Sequence, residues 1–220
     1  MMILGSGKKI VVIGDSITDY ERRRPVGEGL GEAMGHSYVV LIDALLKSTY
    51  PESKIRFVNM GNSGDTVRDL KKRWRSDVLD LNPDWVSILI GVNDVWRQFD
   101  SPLRPEEHVY LKEYEETLEQ LIQFTEKEVE GIILMTPFYM EPNPAEAMRN
   151  LIDQYGQAVK RQAEKHRCIF VDLQCGFNEY LKHYSAQSIA WDRVHPDVVG
   201  HMIIAKAFLN AVGFEWDRRP

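Results

Sequence analysis

This sequence has few cysteines, no long apolar run and no excess of basic residues. Only two cysteines occur in 220 residues, Cys168 and Cys175, and their spacing matches neither a zinc site nor a redox motif. No uncharged stretch approaches the roughly 20 residues of a membrane-spanning helix, and residues 1–9 lack the apolar run of a signal peptide. These absences predict a cytoplasmic protein with reduced thiols and no metal, cofactor or membrane segment.

The charge balance is acidic: 33 Asp and Glu against 27 Lys and Arg give a net charge of −6. A nucleic-acid binder that relies on phosphate contacts needs a concentrated basic face, so nucleic acid is not an expected partner. Two short basic clusters occur, Arg22–Arg24 and Lys71–Arg73, the second followed by Arg75, but acidic residues surround both. We interpret the second cluster as the solvent-exposed side of a helix.

Short β-branched runs alternate with longer stretches whose apolar residues recur at helical spacing. This alternation predicts a parallel sheet with helices on both faces, in one domain spanning residues 1–220. The runs lack two-residue alternation, as expected for strands buried on both faces. The predicted strands are residues 10–13, 55–58, 85–90, 132–135 and 169–171, and helical stripes begin at Val67, Tyr110 and Val198. The expected fold is an α/β three-layer sandwich around a five-stranded parallel sheet.

Polar and small residues follow three of the predicted strands: Ser16 in Gly-Asp-Ser, Gly64 in Ser-Gly-Asp and Asn93 in Gly-Val-Asn-Asp. Taken singly, Ser16 fits a helix cap, Gly64 a position with positive φ, and Asn93 a turn. Ligands of doubly wound sheets bind beyond the carboxyl ends of the strands. A hydroxyl, a small residue and an amide gathered there are the parts of a nucleophile with oxyanion donors. The glycine-rich residues 20–36 are expected to form a long loop after the first strand.

The segment from Trp191 to Pro196 supplies a base and an acceptor that can orient it, which a hydroxyl nucleophile needs. One tight turn can close the three-residue spacing, so that Asp192 meets Nδ1 of His195 and leaves Nε2 free. Pro196 is predicted at the first position of the final helix. The alternative is a surface turn in which His195 merely precedes that helix.

Other patterns indicate no further chemistry. Gly5-Ser6-Gly7-Lys8-Lys9 precedes the first strand and lacks the Ser or Thr of a phosphate loop. Thr18 stands where a Gly-x-Ser-x-Gly elbow needs its second glycine, so the α/β-hydrolase fold is not indicated. The other five histidines have no second ligand at the spacing of a metal site, so we interpret them as surface or core residues. They are His36, His108, His166, His183 and His201.

Together, the four blocks resemble those of the SGNH, or GDSL-type, hydrolases. Ser16, Gly64, Asn93 and the pair Asp192 and His195 correspond in order to that family's four blocks, spread over nearly the whole chain. The resemblance implies a flavodoxin-like fold and a catalytic triad of Ser16, His195 and Asp192. It also implies an oxyanion hole formed by the N–H groups of Ser16 and Gly64 and the side-chain amide of Asn93.

In more detail, residues 91–97 and 191–196 resemble the acetylxylan and acetyl-xylooligosaccharide esterase branch of that family. This resemblance implies hydrolysis of O-acetyl esters on xylo-oligosaccharides or related sugars. An indole beside the triad can stack on a sugar ring, although both tryptophans of these segments could instead serve packing or subunit contact. The predicted substrate contacts are Asp15, Trp96, Arg97 and Trp191, and the role of Arg22–Arg24 stays open.

Two other functions remain open at the level of sequence. The same machinery would serve a thioesterase or a lysophospholipase, for which a long apolar groove is expected. A non-catalytic carbohydrate-binding protein would keep the aromatic pocket without using Ser16, Asp192 and His195 as a catalytic set. Self-association into a homo-oligomer is considered by analogy with other cytoplasmic enzymes.

Overall fold

The computed structural model of the protein describes residues 2–218. Met1, Arg219 and Pro220, the ends of the expected 1–220 domain, lie outside the described residues. The strands are β1 (Lys9–Gly14), β2 (Arg56–Asn59), β3 (Trp85–Leu89), β4 (Gly131–Met135) and β5 (Ile169–Val171). They pair in parallel in the order β2-β1-β3-β4-β5. The predicted five-stranded parallel sheet is therefore confirmed.

Eight α-helices lie between and beyond these strands in residues 2–218. They are α1 (Ser16–Asp19), α2 (Tyr38–Thr49), α3 (Val67–Asp77), α4 (Val92–Asp100), α5 (Leu111–Thr125), α6 (Ala147–His166), α7 (Leu173–Leu181) and α8 (Val198–Ala211). Short 3₁₀ turns occupy Pro51–Ser53, Leu79–Leu81, Pro105–Glu107 and Ala186–Ser188. As predicted, residues 20–36 form a long loop without helix or strand.

The order of the strands places helices on both faces of the sheet. The chain moves from β1 to β2 in one direction and from β3 through β4 to β5 in the other. Right-handed crossovers then put the connecting helices on opposite faces. Helices α2, α7 and α8 pack together in one layer, and α3, α5 and α6 pack together in the other. The predicted three-layer α/β/α sandwich is confirmed.

The core forms because the central strands are apolar on both sides. Residues 10–13 of β1 are fully buried, and every residue of β3 is buried. One face of α3 is buried through Val67, Leu70 and Trp74, and the indole N–H of Trp74 donates to the hydroxyl of Thr125 at 3.0 Å. A strand that is buried on both faces needs no two-residue alternation, which is the pattern found in the sequence.

Two local predictions are wrong. Pro196 does not begin the final helix: Asp197 is its N-cap, and the Asp197 carboxylate accepts the N–H of Val199 at 2.8 Å, so the helix starts at Val198. The basic cluster of α3 is not wholly exposed, since the side chain of Arg73 is only 16% exposed and forms ion pairs with Asp65 and Asp77.

Candidate active site

Ser16 lies at the carboxyl end of β1, as the first residue of α1. Asp15 caps this helix, because its Oδ1 accepts the N–H of Ile17 at 3.0 Å. Gly14 permits the tight turn: a Cβ there would lie 2.4 Å from the carbonyl oxygen of Leu89. The turn therefore presents the Ser16 hydroxyl at the rim of the sheet.

The Ser16 hydroxyl meets the imidazole of His195, although 179 positions separate the two residues. Oγ of Ser16 lies 2.8 Å from Nε2 of His195, and Oδ2 of Asp192 lies 2.6 Å from Nδ1. A carboxylate can only accept, so the proton of the neutral ring sits on Nδ1. Nε2 is then the acceptor for the serine hydroxyl, which is the arrangement that activates a nucleophile.

The turn from Asp192 to His195 is closed by the carboxylate itself. Oδ1 of Asp192 accepts the N–H groups of Val194 and His195, both at 2.9 Å. Burial by itself would raise the pKa of Asp192, but the hydrogen bonds from the His195 ring and from these two N–H groups lower it below its usual value. Asp192 is therefore ionised at neutral pH and holds the ring in one tautomer.

Three donors stand where the resemblance implies an oxyanion hole. The N–H groups of Ser16 and Gly64 donate to no acceptor within residues 2–218. Asn93, at the start of α4, is 2% exposed, and its Nδ2 donates one hydrogen to the carbonyl of Asp65 at 2.9 Å. The amide is held in one orientation by this bond, and its second hydrogen stays available.

A cleft of about 540 Å³ opens over Ser16 and His195. It is lined by Ser16, Asp19, Tyr20, Glu21, Arg22, Arg24, Ser63 and His195. Most of these side chains are polar or charged, and none is a long aliphatic group. The cleft therefore suits a compact polar ligand better than an extended acyl chain.

The four predicted substrate contacts lie in different surroundings. Asp15 is 1% exposed and serves as the cap of α1, which argues against its predicted contact with substrate. The ring of Trp96 lies 5.8 Å from that of His195, centroid to centroid. Arg97 lies over the Trp96 ring at 5.5 Å and pairs with Asp100. Trp191 is 84% exposed.

The loop side of the cleft runs from Asp19 to Arg24; the sequence indicates Arg22–Arg24 as a possible border of the pocket without assigning a role, and its motifs do not indicate Asp19, Tyr20 or Glu21. Arg22 is 6% exposed, and burial lowers its pKa to about 10. Its Nε donates to the carbonyl of Gly61 at 2.6 Å, which fastens the long loop to the segment after β2. The hydroxyl of Tyr20 donates to the carbonyl of Pro196 at 3.1 Å. The one available signal was the clustering of three arginines close behind an aspartate.

Two searches of residues 2–218 bear on other classes of site. No group of three or more His, Cys, Asp or Glu side chains in this part of the chain is arranged to hold a metal ion. No helix in the same range is both long and apolar enough to cross a membrane.

A parallel α/β sheet with a serine, a histidine and an aspartate joined at one rim defines a serine hydrolase. The family model described as GDSL-like lipase/acylhydrolase matches residues 12–203. The chain belongs to this family.

Individual relatives are similar over the full length. An acetylxylan esterase from Geobacillus stearothermophilus is 57% identical over 217 residues, which cover 99% of each chain. The crystal structure of an acetylxylan esterase from the same organism has a TM-score of 0.98 at 57% identity and covers 100% of both chains. Catalytic mutants of that esterase have been solved with a serine, an aspartate or a histidine changed to alanine. An alpha/beta hydrolase enzyme from the metagenome of Lake Arreo has a TM-score of 0.96 at 51% identity, covering 97% of this chain and 99% of its own.

Proposed function

We propose that this chain is a serine esterase that removes acetyl groups from xylo-oligosaccharides or related sugars. The observation that carries the proposal is the continuous chain of hydrogen bonds from Ser16 through His195 to Asp192, with distances of 2.8 and 2.6 Å. The likeness to an acetylxylan esterase over 99% of both chains supports the substrate class.

In the proposed reaction, Oγ of Ser16 attacks the acetyl carbonyl while Nε2 of His195 takes the hydroxyl proton. The developing oxyanion accepts hydrogen bonds from the N–H groups of Ser16 and Gly64 and from the amide of Asn93. The imidazolium, held by Asp192, then gives its proton to the departing sugar oxygen. Water, deprotonated by His195, attacks the acetyl-enzyme and releases acetate, which restores the free Ser16 hydroxyl.

The lining of the cleft supports a polar substrate over a lipid or an acyl thioester. A lysophospholipase or long-chain thioesterase needs an apolar groove for its acyl chain, whereas this cleft carries Asp19, Glu21, Arg22 and Arg24. Of these groups, the exposed side chains of Glu21 and Arg24 can exchange hydrogen bonds with sugar hydroxyls. The indole of Trp96, beside the His195 ring, provides an apolar surface on which a sugar ring can stack.

The test is a comparison of substrates with one enzyme preparation. Acetate release from acetylated xylosides is measured beside the hydrolysis of choline esters, long-chain lysophospholipids and acyl thioesters. We expect kcat/KM to be highest for the acetylated xylosides. A preference for long-chain lipids or thioesters would contradict the proposed substrate, although the esterase class would stand.

A second measurement separates an enzyme from a non-catalytic sugar-binding protein. A small organophosphonate is expected to label Ser16 covalently, and Ser16→Ala is expected to abolish both labelling and acetate release. Failure of the native chain to be labelled or to release acetate would sink the proposed activity.

A cytoplasmic location and self-association remain proposals. The two free thiols support a reducing compartment, since Cys168 is partly buried, Cys175 is exposed, and they form no disulfide with each other. Cell fractionation would test the location, and sedimentation analysis would test the number of subunits.

A further inference from the structure

The loop that carries Gly64 is held between two carboxylate–arginine pairs whose carboxylates, Asp19 and Asp65, are buried. On one side, Arg24 donates to both carboxylate oxygens of Asp19, at 2.9 and 2.6 Å. On the other side, Nε of Arg73 donates to Oδ2 of Asp65 at 2.6 Å. The mechanism uses none of these four side chains, yet they flank one of its proposed oxyanion donors.

Asp19 joins the Gly64 loop to the helix of the nucleophile. Its Oδ2 accepts the N–H of Ser63 at 3.0 Å in addition to the guanidinium of Arg24. Asp19 is the last residue of α1, and Ser16 is the first. One carboxylate therefore fixes the N–H of Ser63, the residue before Gly64, relative to the turn that carries Ser16.

The backbone contacts of α1 leave little freedom for a different arrangement. Gly61 lies so close to the end of α1 that an added Cβ would meet the backbone nitrogen of Asp19 at 2.2 Å. The N–H of Asn62 donates to the carbonyl of Gly14 at 3.0 Å. Gly64 itself has φ +86° and lies in a turn closed by the N–H of Asp65, which donates to the carbonyl of Asn62 at 3.2 Å. Its direction depends on its neighbours in the chain.

The second pair, Asp65 and Arg73, also holds the loop that carries Gly64. Arg73 also donates to the carbonyls of Met60 and Gly14, at 2.7 and 3.0 Å. The carbonyl of Asp65 in turn accepts the amide of Asn93. Asp65 and Arg73 therefore lie between two of the proposed donors, Gly64 and Asn93. Asp19 instead bonds to the Gly64 loop, through the N–H of Ser63.

We propose that Asp19, held by Arg24, is a positioning residue that sets the direction of the Gly64 N–H toward the oxyanion. This inference rests on the proposed esterase function and deepens it. Asp19 acts through the Ser63 peptide rather than by contact with substrate, since its side chain is only 7% exposed. A misdirected N–H weakens the hydrogen bond to the transition state more than any contact with the bound ester. The substitution is therefore expected to lower kcat rather than raise KM.

The test is Asp19→Asn, assayed on 4-nitrophenyl acetate, a substrate without sugar contacts. Complete removal of an oxyanion donor typically costs about 10²–10³ in turnover, so misdirecting one is expected to cost about 10- to 100-fold in kcat. KM is expected to change less than about threefold, because the ester is bound before the charge develops. The rate constant for labelling by an organophosphonate, whose oxygen occupies the same hole, should fall in parallel.

Two features separate positioning from a merely structural role. The kcat is calculated per active site, from the end point of phosphonate titration, so a fraction of unfolded enzyme does not lower it. Glu115→Gln is the matched control, because Glu115 forms a bidentate pair with Arg161 between α5 and α6, away from the site. It is expected to keep the native kcat.

Arg24→Gln keeps the test decisive if Asp19→Asn fails to fold. The Arg24 side chain is 47% exposed, so its loss leaves no buried cation. We expect an intermediate fall in kcat, about 3- to 10-fold, since the Asp19 carboxylate remains but loses its bidentate partner. Native kcat in either folded variant would overturn the inference while leaving the esterase proposal intact. Absence of turnover in the native chain would instead remove the proposed function.

Discussion

Arg193 and Glu141 form an ion pair, with 2.7 Å between Nη1 and Oε2, that links the turn of the base to the segment after β4. Arg193 has a left-handed backbone, φ 63°, which costs a non-glycine residue roughly 1–2 kcal/mol. The N–H of Met140 donates to the carbonyl of Arg193 at 3.0 Å and holds the same turn. The strained turn between Asp192 and His195 is thus maintained by its contacts with residues 140 and 141.

Replacing Glu141 with alanine should therefore loosen the base. We expect kcat on 4-nitrophenyl acetate to fall about 3- to 10-fold with KM nearly unchanged, because small misplacements of a catalytic group reduce rate more than binding. The free energy of unfolding should fall by about 1 kcal/mol, as for a partly exposed ion pair. Glu179→Ala, which removes an exposed pair with Lys182, is the control. Native kcat in Glu141→Ala would mean that the backbone bonds suffice.

Gly64 offers a matched test of backbone direction. Gly64 and Gly7 have φ values of +86° and +75°, and a Cβ at either position would meet nothing within 4 Å. Alanine at each position should cost a similar free energy of unfolding, about 1–2 kcal/mol, from the left-handed conformation alone. Only Gly64→Ala should also lower kcat, by about 10-fold or more, because it turns a proposed oxyanion donor. Equal kcat in the two variants would argue against that role for Gly64.

Asn93→Ala should be folded but nearly inactive. Loss of its amide removes one proposed oxyanion donor, for which a fall of about 10²–10³ in kcat is typical. It also leaves the carbonyl of Asp65 without its 2.9 Å donor, so a modest loss of stability, about 1 kcal/mol, is expected. Circular dichroism would establish folding, and turnover of an aryl acetate would give kcat. Retention of full turnover would refute the assignment of Asn93.

Burial of Asp94 should make the free energy of unfolding decrease as pH rises. It is 0% exposed, its Oδ1 accepts the N–H of Val67 at 3.0 Å, and its Oδ2 has no partner among residues 2–218. Burial raises the pKa of Asp94 to about 8, against the opposing effect of the Val67 N–H. In the unfolded chain the group ionises near its usual pKa of about 3.9. Between those values the folded state keeps a proton that the unfolded state releases, so the free energy of unfolding decreases with pH.

Asp94→Asn should remove this dependence. Each unit of pKa difference corresponds to about 1.4 kcal/mol. From about pH 5 to about pH 8, the stability of the variant relative to the native protein should therefore improve by at most about 4 kcal/mol. Urea unfolding at several pH values measures the difference, and Asp15, whose pKa burial raises to about 7, is present in both proteins. A difference that does not vary with pH would mean that Asp94 is ionised in the folded state.

Much of the fold was predictable because the strands are continuous apolar runs and the helices have clear amphipathic stripes. The five predicted strands match the observed ones to within one residue at each end, and α3 and α5 begin within one residue of the first position of their apolar stripes. Pro196 misled the prediction of the start of α8, since the capping carboxylate of Asp197 decides that boundary. Two local preferences compete here: proline favours the first position of a helix, and aspartate favours the N-cap. The sequence alone does not show which of the two sets the boundary.

The candidate site was predictable where its chemistry sits in short motifs. Ser16, Asn93 and the pair Asp192 and His195 follow strands or precede a helix, and their residue types belong to a known reaction class. Arg73 differs from the prediction: a basic residue in a charged helical run is normally solvated, but its side chain is only 16% exposed. Its burial depends on carbonyls of Gly14 and Met60, which no pattern in α3 reveals.

The sequence by itself determined the alternation of strands and helices, the order of the motifs and the residue types of the proposed nucleophile, base and orienting carboxylate, because these depend on periodicity and on chemistry within a few residues. Only the tertiary structure decided which distant groups meet. Ser16 reaches His195, Asp19 holds Ser63 and Arg193 holds Glu141 because parallel strands bring their carboxyl ends to one rim of the sheet, whatever their separation along the chain. Contacts of that kind are set by packing in three dimensions, and no local pattern encodes them.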